Sequence, residues 1–153
     1  MGATHEHEHR PGWAEHASGR LAEAGYRRGG ARAAVIELLG SQRCAMSAYD
    51  IEDALRDEGA RGVARASIYR ILDELESLKL VQRIDVGQGV TRYEALDPSG
   101  DHHHHMVCDR CGDVIPFHDA ELERTMRRVA GRVTFDVSEH EIVLHGACAD
   151  CAE

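Results

Sequence analysis

The chain has 153 residues, 42% of them hydrophobic, which is enough for one domain or two small ones with their own cores. It carries 27 acidic residues against 18 Lys and Arg, a net charge of −9. That balance excludes a protein that coats nucleic acid over its whole surface and demands a local basic patch of one that contacts DNA. No apolar run approaches the ~20 residues of a membrane span, and no secretory leader is evident, so a soluble protein in the reducing cytoplasm is expected.

Residues 1–12 contain His5-Glu-His-Glu-His9 and Arg10-Pro-Gly12 and are expected to form a flexible His-rich tail with weak metal affinity at most. Trp13 to Ala24 is helix-compatible, with Trp13 and Leu21 as anchors and Gly25 as its end. Tyr26-Arg27-Arg28-Gly29-Gly30 is a basic connector, and Arg27 and Arg28 are candidates to meet a phosphate backbone or minor groove. A second helix is expected over Ala31 to Leu39, stopped by Gly40. Ser47-Ala-Tyr-Asp50 is a relative of the capping box with Asp in place of Glu or Gln. The helix it opens should run to about Glu58, with Ile51, Ala54 and Leu55 inward, and Gly59 and Gly62 should break it.

Ala66 to Leu78 places Ile68, Ile71, Leu72, Leu75 and Leu78 at helical spacing, so that stripe faces a core. The other face, near the N-terminus, carries Ser67, Tyr69 and Arg70, with Arg65 just upstream. These groups suit bases and phosphates, the plain alternative being a solvated helix face. Val81–Asp85 and Val90–Glu94 read as strands joined by a turn at Gly87-Gln-Gly89. Two helices, a third with a polar outer face and then a hairpin is the order of a winged helix-turn-helix, assigned here to residues 13–95. Leu96-Asp-Pro-Ser-Gly100 marks a hinge, taken as residues 96–101.

Residues 102–153 are expected to form a second, smaller α/β domain for dimerisation and metal binding, which makes the whole chain α+β. Cys108 and Cys111, with Cys148 and Cys151, form two Cys-x-x-Cys pairs. Four thiolates suit a closed, tetrahedral Zn2+ site, and disulfides are rare in a reducing compartment. His102 to His105 run directly into the first pair. If they are extended, side chains alternate, so His102 and His104 face one way and His103 and His105 the other. Each pair of imidazoles then needs completion from elsewhere, and Glu94, Glu123 and His140 are available. Mixed imidazole and carboxylate donors suit iron, manganese, zinc, nickel or cobalt. Farther on, Asp119 should cap a helix to about Ala130, with Leu122, Met126 and Val129 on one face. Val133–Val137 and Ile142–His145 alternate as strands of an antiparallel sheet, whose edge a second copy can pair with.

The stretch from Asp101 through the four histidines to Met-Val-Cys-Asp-Arg-Cys-Gly-Asp-Val-Ile115 resembles the ferric uptake regulator family of metal-dependent repressors. His140 with Val143-Leu-His-Gly-Ala-Cys-Ala-Asp-Cys151, and Ala66-Ser-Ile-Tyr-Arg-Ile71, extend the resemblance over about residue 20 to the end. It implies a homodimer of winged-helix and dimerisation domains that binds an inverted-repeat, double-stranded operator when metal is bound. By the same resemblance, Cys108, Cys111, Cys148 and Cys151 hold structural zinc. Glu94, His103 and His105 form a sensory site at the hinge, for Fe2+ or another divalent transition metal. His102, His104, Glu123 and His140 form a second site, Tyr69 contacts bases and Arg70 the backbone. Three departures bear on the metal. A histidine often found before Ser47 is replaced at Ala45, beside Cys44 and Met46; no cysteine lies near Glu94; and a carboxylate sometimes used after the first knuckle is Pro116. A zinc, manganese, nickel or peroxide sensor of the same family is the alternative. A storage protein or metallochaperone explains the His and Cys clusters, but not the Tyr-Arg helix and its hairpin. The one His-Glu-x-x-His spacing, His5 to His9, falls in the expected flexible tail and not on a helix, and the four-cysteine site is closed, so neither an enzyme nor a small organic substrate is expected.

Overall fold

The structure is a computed structural model that describes residues 12–42, 45–60, 62–87, 89–100 and 102–152. The His5–His9 tail, Cys44 and Asp101 lie outside the described residues. Two compact units meet in sequence between positions 101 and 102, and among the described residues no helix is long and apolar enough to cross a membrane.

Among the described residues, the first unit has four helices and a three-stranded sheet: α1 (Trp13–Glu23), α2 (Gly30–Ser41), β1 (Met46–Ser47), α3 (Ala48–Asp57), α4 (Arg65–Ser77), β2 (Val81–Asp85) and β3 (Thr91–Ala95). Each helix buries one stripe. Trp13, Ala17 and Leu21 recur every four residues on α1, while Ile68, Ile71, Leu72 and Leu75 form the inner face of α4. These residues join Val35, Leu38, Ile51 and Leu55 in one apolar core. The sheet order is β1-β3-β2, all antiparallel, with Arg83 opposite Tyr93 in the hairpin. This is a winged helix-turn-helix.

The local chemistry explains the boundaries. At the start of α3, Asp50 N–H donates to Ser47 Oγ at 3.1 Å and Ser47 N–H to Asp50 Oδ2 at 2.8 Å, so the box closes in both directions with Asp as its second member. The helix ends where Gly59 takes φ +83° and Ala60 N–H reaches back to the Leu55 carbonyl at 2.9 Å. Gly40, expected to stop α2, instead lies inside it and is buried. A Cβ there would sit 3.2 Å from Trp13 Cε3 and 3.4 Å from Ala14 Cβ, so its role is the close approach of α1 to α2. Arg32 of α2 donates to Glu74 of α4 from Nε at 3.1 Å and Nη2 at 2.5 Å, tying the two helices together beside the core.

The second unit contains β4 (His104–Cys108), β5 (Val114–Phe117), α5 (Ala120–Arg132) and β6 (Val143–Gly146). Asp119 caps α5 by accepting from Leu122 N–H at 2.8 Å. The sheet order is β5-β4-β6, and it is mixed rather than antiparallel: β4 pairs antiparallel with β5 and parallel with β6. A parallel partner needs a long crossover, which β5 and α5 provide. The strand expected over Val133–Val137 does not form. Thr134 takes φ +52° and Phe135 N–H folds back to the Ala130 carbonyl at 3.0 Å, which closes α5 and interrupts the extended run. Val133 and Phe135 remain 71% and 65% exposed, and Val129, expected on the packed face of α5, is 54% exposed.

Candidate metal centres and nucleic-acid interface

On the first unit, α4 turns Tyr69 and Arg70 to solvent and Ser67 partly so, while Arg27 and Arg28 are exposed on the connector between α1 and α2. Arg65, the first residue of α4, is engaged within the unit. Its Nε and Nη2 donate to Glu52 Oε2 at 2.8 and 2.5 Å, and its guanidinium lies 3.9 Å from the centre of the Tyr49 ring. The bond to Glu52 raises the Arg65 pKa, against a smaller opposing effect of burial. Tyr49 and Glu52 were not singled out in the sequence. Glu94, on β3, is buried and accepts from Gln82 Nε2 at 3.1 Å across the hairpin. Ala45 is buried and offers no ligand side chain; its carbonyl accepts from Arg92 Nη1 at 3.3 Å.

On the second unit, β4 begins at His104, and alternate histidines of positions 102–105 join different clusters. His102 and His104 converge with Glu123 of α5 and His140 of the segment before β6, their four donor atoms all lying within 4.8 Å of one another. Glu123 Oε1 accepts from Nε2 of His104 at 2.6 Å and of His140 at 3.1 Å, while His102 Nε2 is 3.4 Å away. Glu123 and His104 are buried. Burial pushes the Glu123 carboxyl up, but the bonds from His104 and His140 outweigh it and bring its pKa down to about 2. An ionised carboxylate among three imidazoles is a donor set that fits a divalent transition metal. His103 and His105 form a separate pair, with ring centres 4.9 Å apart and His105 buried. Pro116 pairs in register with His105 on β5, an edge strand where a missing N–H is tolerated.

The four cysteines gather where β4 and β6 end, with all donor sulfurs within 4.8 Å of one another and none in a disulfide. Cys111 Sγ and Cys148 Sγ are 3.7 Å apart. A tetrahedron with 2.3 Å metal–sulfur bonds has edges of about 3.8 Å, so the spacing fits zinc. Cys108 Sγ accepts from the backbone N–H of Cys111 at 3.5 Å and of Cys148 at 3.4 Å. Those two bonds bring its pKa down to about 6, whereas the bonds to Cys148 and Cys111 hold Cys151 up to about 12. Crowded thiols resist joint ionisation, and a divalent cation among them reverses that balance. Arg110 donates to the Cys151 carbonyl and links the two knuckles. Beside them, His145 Nδ1 lies 3.1 Å from Asp109 Oδ1.

The sequence model of the Ferric uptake regulator family matches residues 23–145, most of the chain. The ferric uptake regulation protein of Neisseria meningitidis serogroup A is 37% identical over 106 residues, 69% of this chain and 72% of that protein. The solved ferric uptake regulator of Vibrio cholerae gives a TM-score of 0.77 at 28% identity, covering 86% of this chain and 98% of that one. The Pseudomonas aeruginosa ferric uptake regulator with manganese gives 0.72 at 30%, covering 87% and 98%. With a winged helix, a four-cysteine cluster fit for zinc and histidine–carboxylate donors in one chain, and these similarities along most of its length, the protein belongs to the ferric uptake regulator family of metal-responsive transcription regulators and is not an enzyme.

Proposed function

We propose that the protein is a cytoplasmic, metal-responsive repressor that binds an inverted-repeat DNA operator as a homodimer when its sensory site holds a divalent metal, iron(II) in the first instance. The observation that carries this reading is that alternate histidines of positions 102–105 fall into two different clusters. His102 and His104 join Glu123 and His140, and His103 and His105 form a second pair with rings 4.9 Å apart. In this reading, Glu94 completes the second pair as the sensory site, residues 13–95 form the DNA-binding domain, 96–101 the hinge and 102–153 the dimerisation domain. Cys108, Cys111, Cys148 and Cys151 hold structural zinc, and His102, His104, Glu123 and His140 form the second metal site. Ser67, Tyr69 and Arg70 face the duplex with Arg65, Arg27 and Arg28, the arginines positioning the domain on phosphates. A metal held by residues from both sides of the hinge would link the two domains. A dimer reads two half-sites only when its recognition helices are spaced to match the duplex. Metal then acts by binding the DNA-competent arrangement more tightly than the other.

The test is a fluorescence-anisotropy titration against the duplex upstream of the protein's own gene, with structural zinc retained and other metals stripped. Iron(II), manganese, zinc and nickel are added separately at buffered free concentrations, and the one that induces tight binding names the signal. His103→Ala is expected to abolish the metal-induced gain while leaving the zinc content unchanged. Metal-dependent binding that survives His103→Ala would remove the sensory-site assignment.

A further inference from the structure

Arg65 is placed where a helix gains nothing from it. A cation in the first turn meets the positive end of the helix dipole, and α4 has no side-chain cap to offset this. Its position is explained by α3. Glu52 and Tyr49 lie three residues apart and share a face of that helix. Glu52 Oε2 takes both Nε and Nη2 of Arg65, and the Tyr49 ring supports the guanidinium plane from 3.9 Å. The cluster is unequally exposed: the Glu52 side chain is 18% accessible and that of Arg65 42%, while Tyr49 is 56% exposed, a large value for an aromatic residue. Glu52 is also shared, since Arg56 Nη2 approaches its other oxygen at 3.9 Å. The result is a stacked, partly solvated arginine at the start of the helix that carries Ser67, Tyr69 and Arg70, held by a carboxylate of the same unit.

We propose that Glu52 is an internal competitor for DNA phosphate. In the free protein it neutralises Arg65. On DNA, the guanidinium exchanges Glu52 for a phosphate oxygen while Tyr49 keeps its plane in place. Stacking engages the face of the guanidinium and leaves its N–H edge available, which is what such an exchange requires. Glu52 thereby sets how strongly, and with what salt sensitivity, the domain holds any duplex, separately from base recognition by neighbouring side chains. The inference rests on the DNA-binding reading above and assigns Tyr49 and Glu52 to that interface as positioning residues.

The experiment measures anisotropy of the metal-loaded, full-length protein with the duplex upstream of its own gene and with a scrambled duplex, over a series of salt concentrations. Glu52→Gln is expected to tighten binding to both by about 3- to 10-fold at low salt and to steepen the slope of log K against log salt by about 0.9, the signature of one more phosphate contact. Arg65→Gln should erase both gains when combined with Glu52→Gln. In the Glu52→Gln background, Tyr49→Ala should weaken binding and Tyr49→Phe restore it. Asp53→Asn, which removes a neighbouring carboxylate paired with Arg56 at 2.9 Å, should leave the slope unchanged. Far-UV circular dichroism and melting temperature check that each variant is folded, as expected for partly exposed pairs, which contribute little to stability. An unchanged slope in folded Glu52→Gln overturns the inference, as does a gain that persists without Arg65, which would mark a general charge effect. Wild-type protein that binds neither duplex in any metal state removes the DNA-binding reading as well.

Discussion

Glu123 shows how a single residue can organise a centre. Its buried side chain receives His104 and His140 at Oε1, at 2.6 and 3.1 Å. Glu123→Gln keeps the size but removes the charge and puts N–H groups where imidazole nitrogens now point. Divalent-metal affinity at this centre is expected to fall on the order of 100-fold, measured by competition with a chromophoric chelator, while the zinc content stays constant. Unaltered affinity would mean that these four residues form a hydrogen-bonded cluster and not a metal site. At this scale the sequence was most readable where chemistry follows short spacing. The Cys-x-x-Cys pairs and the division of His102 to His105 into alternate pairs follow from local geometry, because a knuckle and a strand each fix geometry over a few residues, whereas the residues that complete each histidine pair came only from the family resemblance. Tyr49 and Glu52 had no such signal, since their meaning comes from Arg65, 13 positions beyond Glu52 and on another helix.

Among the elements, α1 and α2 set a sharp contrast between two helical glycines. Gly40 lies under Trp13, which is 1% exposed and cannot easily move aside. Gly40→Ala gains roughly 1 kcal/mol of helix propensity but overpacks the contact, at about 1–3 kcal/mol, so a net loss in melting temperature is expected. Gly19, on α1, has nothing within 4 Å of an added Cβ. Gly19→Ala should therefore raise stability by about 0.5–1 kcal/mol. Thermal denaturation of the two variants decides the matter, and equal shifts would reject a packing role for Gly40. The misreadings of the sequence fall at this scale. Gly40 resembles a helix stop because glycine at a C-terminus and glycine at a crossing look alike in one dimension. Val133–Val137 alternates like a strand, but alternation gives no partner, and the turn at Thr134 removes the extended path. The parallel pairing of β6 depends on the crossover, which local pattern does not encode.

For the whole molecule, stability is divided unequally. The first unit has an extensive apolar core, whereas buried apolar residues of the second are limited to Val107 and Cys108 among those described. A structural zinc site contributes roughly 10–16 kcal/mol of binding free energy, comparable to the 5–15 kcal/mol that holds an ordinary domain together. Chelation of zinc, or Cys148→Ser, is expected to unfold residues 102–152 while 13–95 retain their structure. Amide NMR spectra with and without chelator would show two populations of resonances. Uniform loss, or uniform retention, would contradict that division.

Side chains on β4 alternate, so consecutive histidines belong to different clusters, and Cys108 at the strand's end belongs to a third. A slip of one residue in the pairing of β4 would send His103 and His105 to the face of Glu123 and withdraw His104 from it. The cysteine cluster stands at the one point where such a slip is visible to a tightly bound ion. Zinc held at Cys108 would therefore set the phase of the strand, and a structural site would serve as the reference mark from which the histidines are counted.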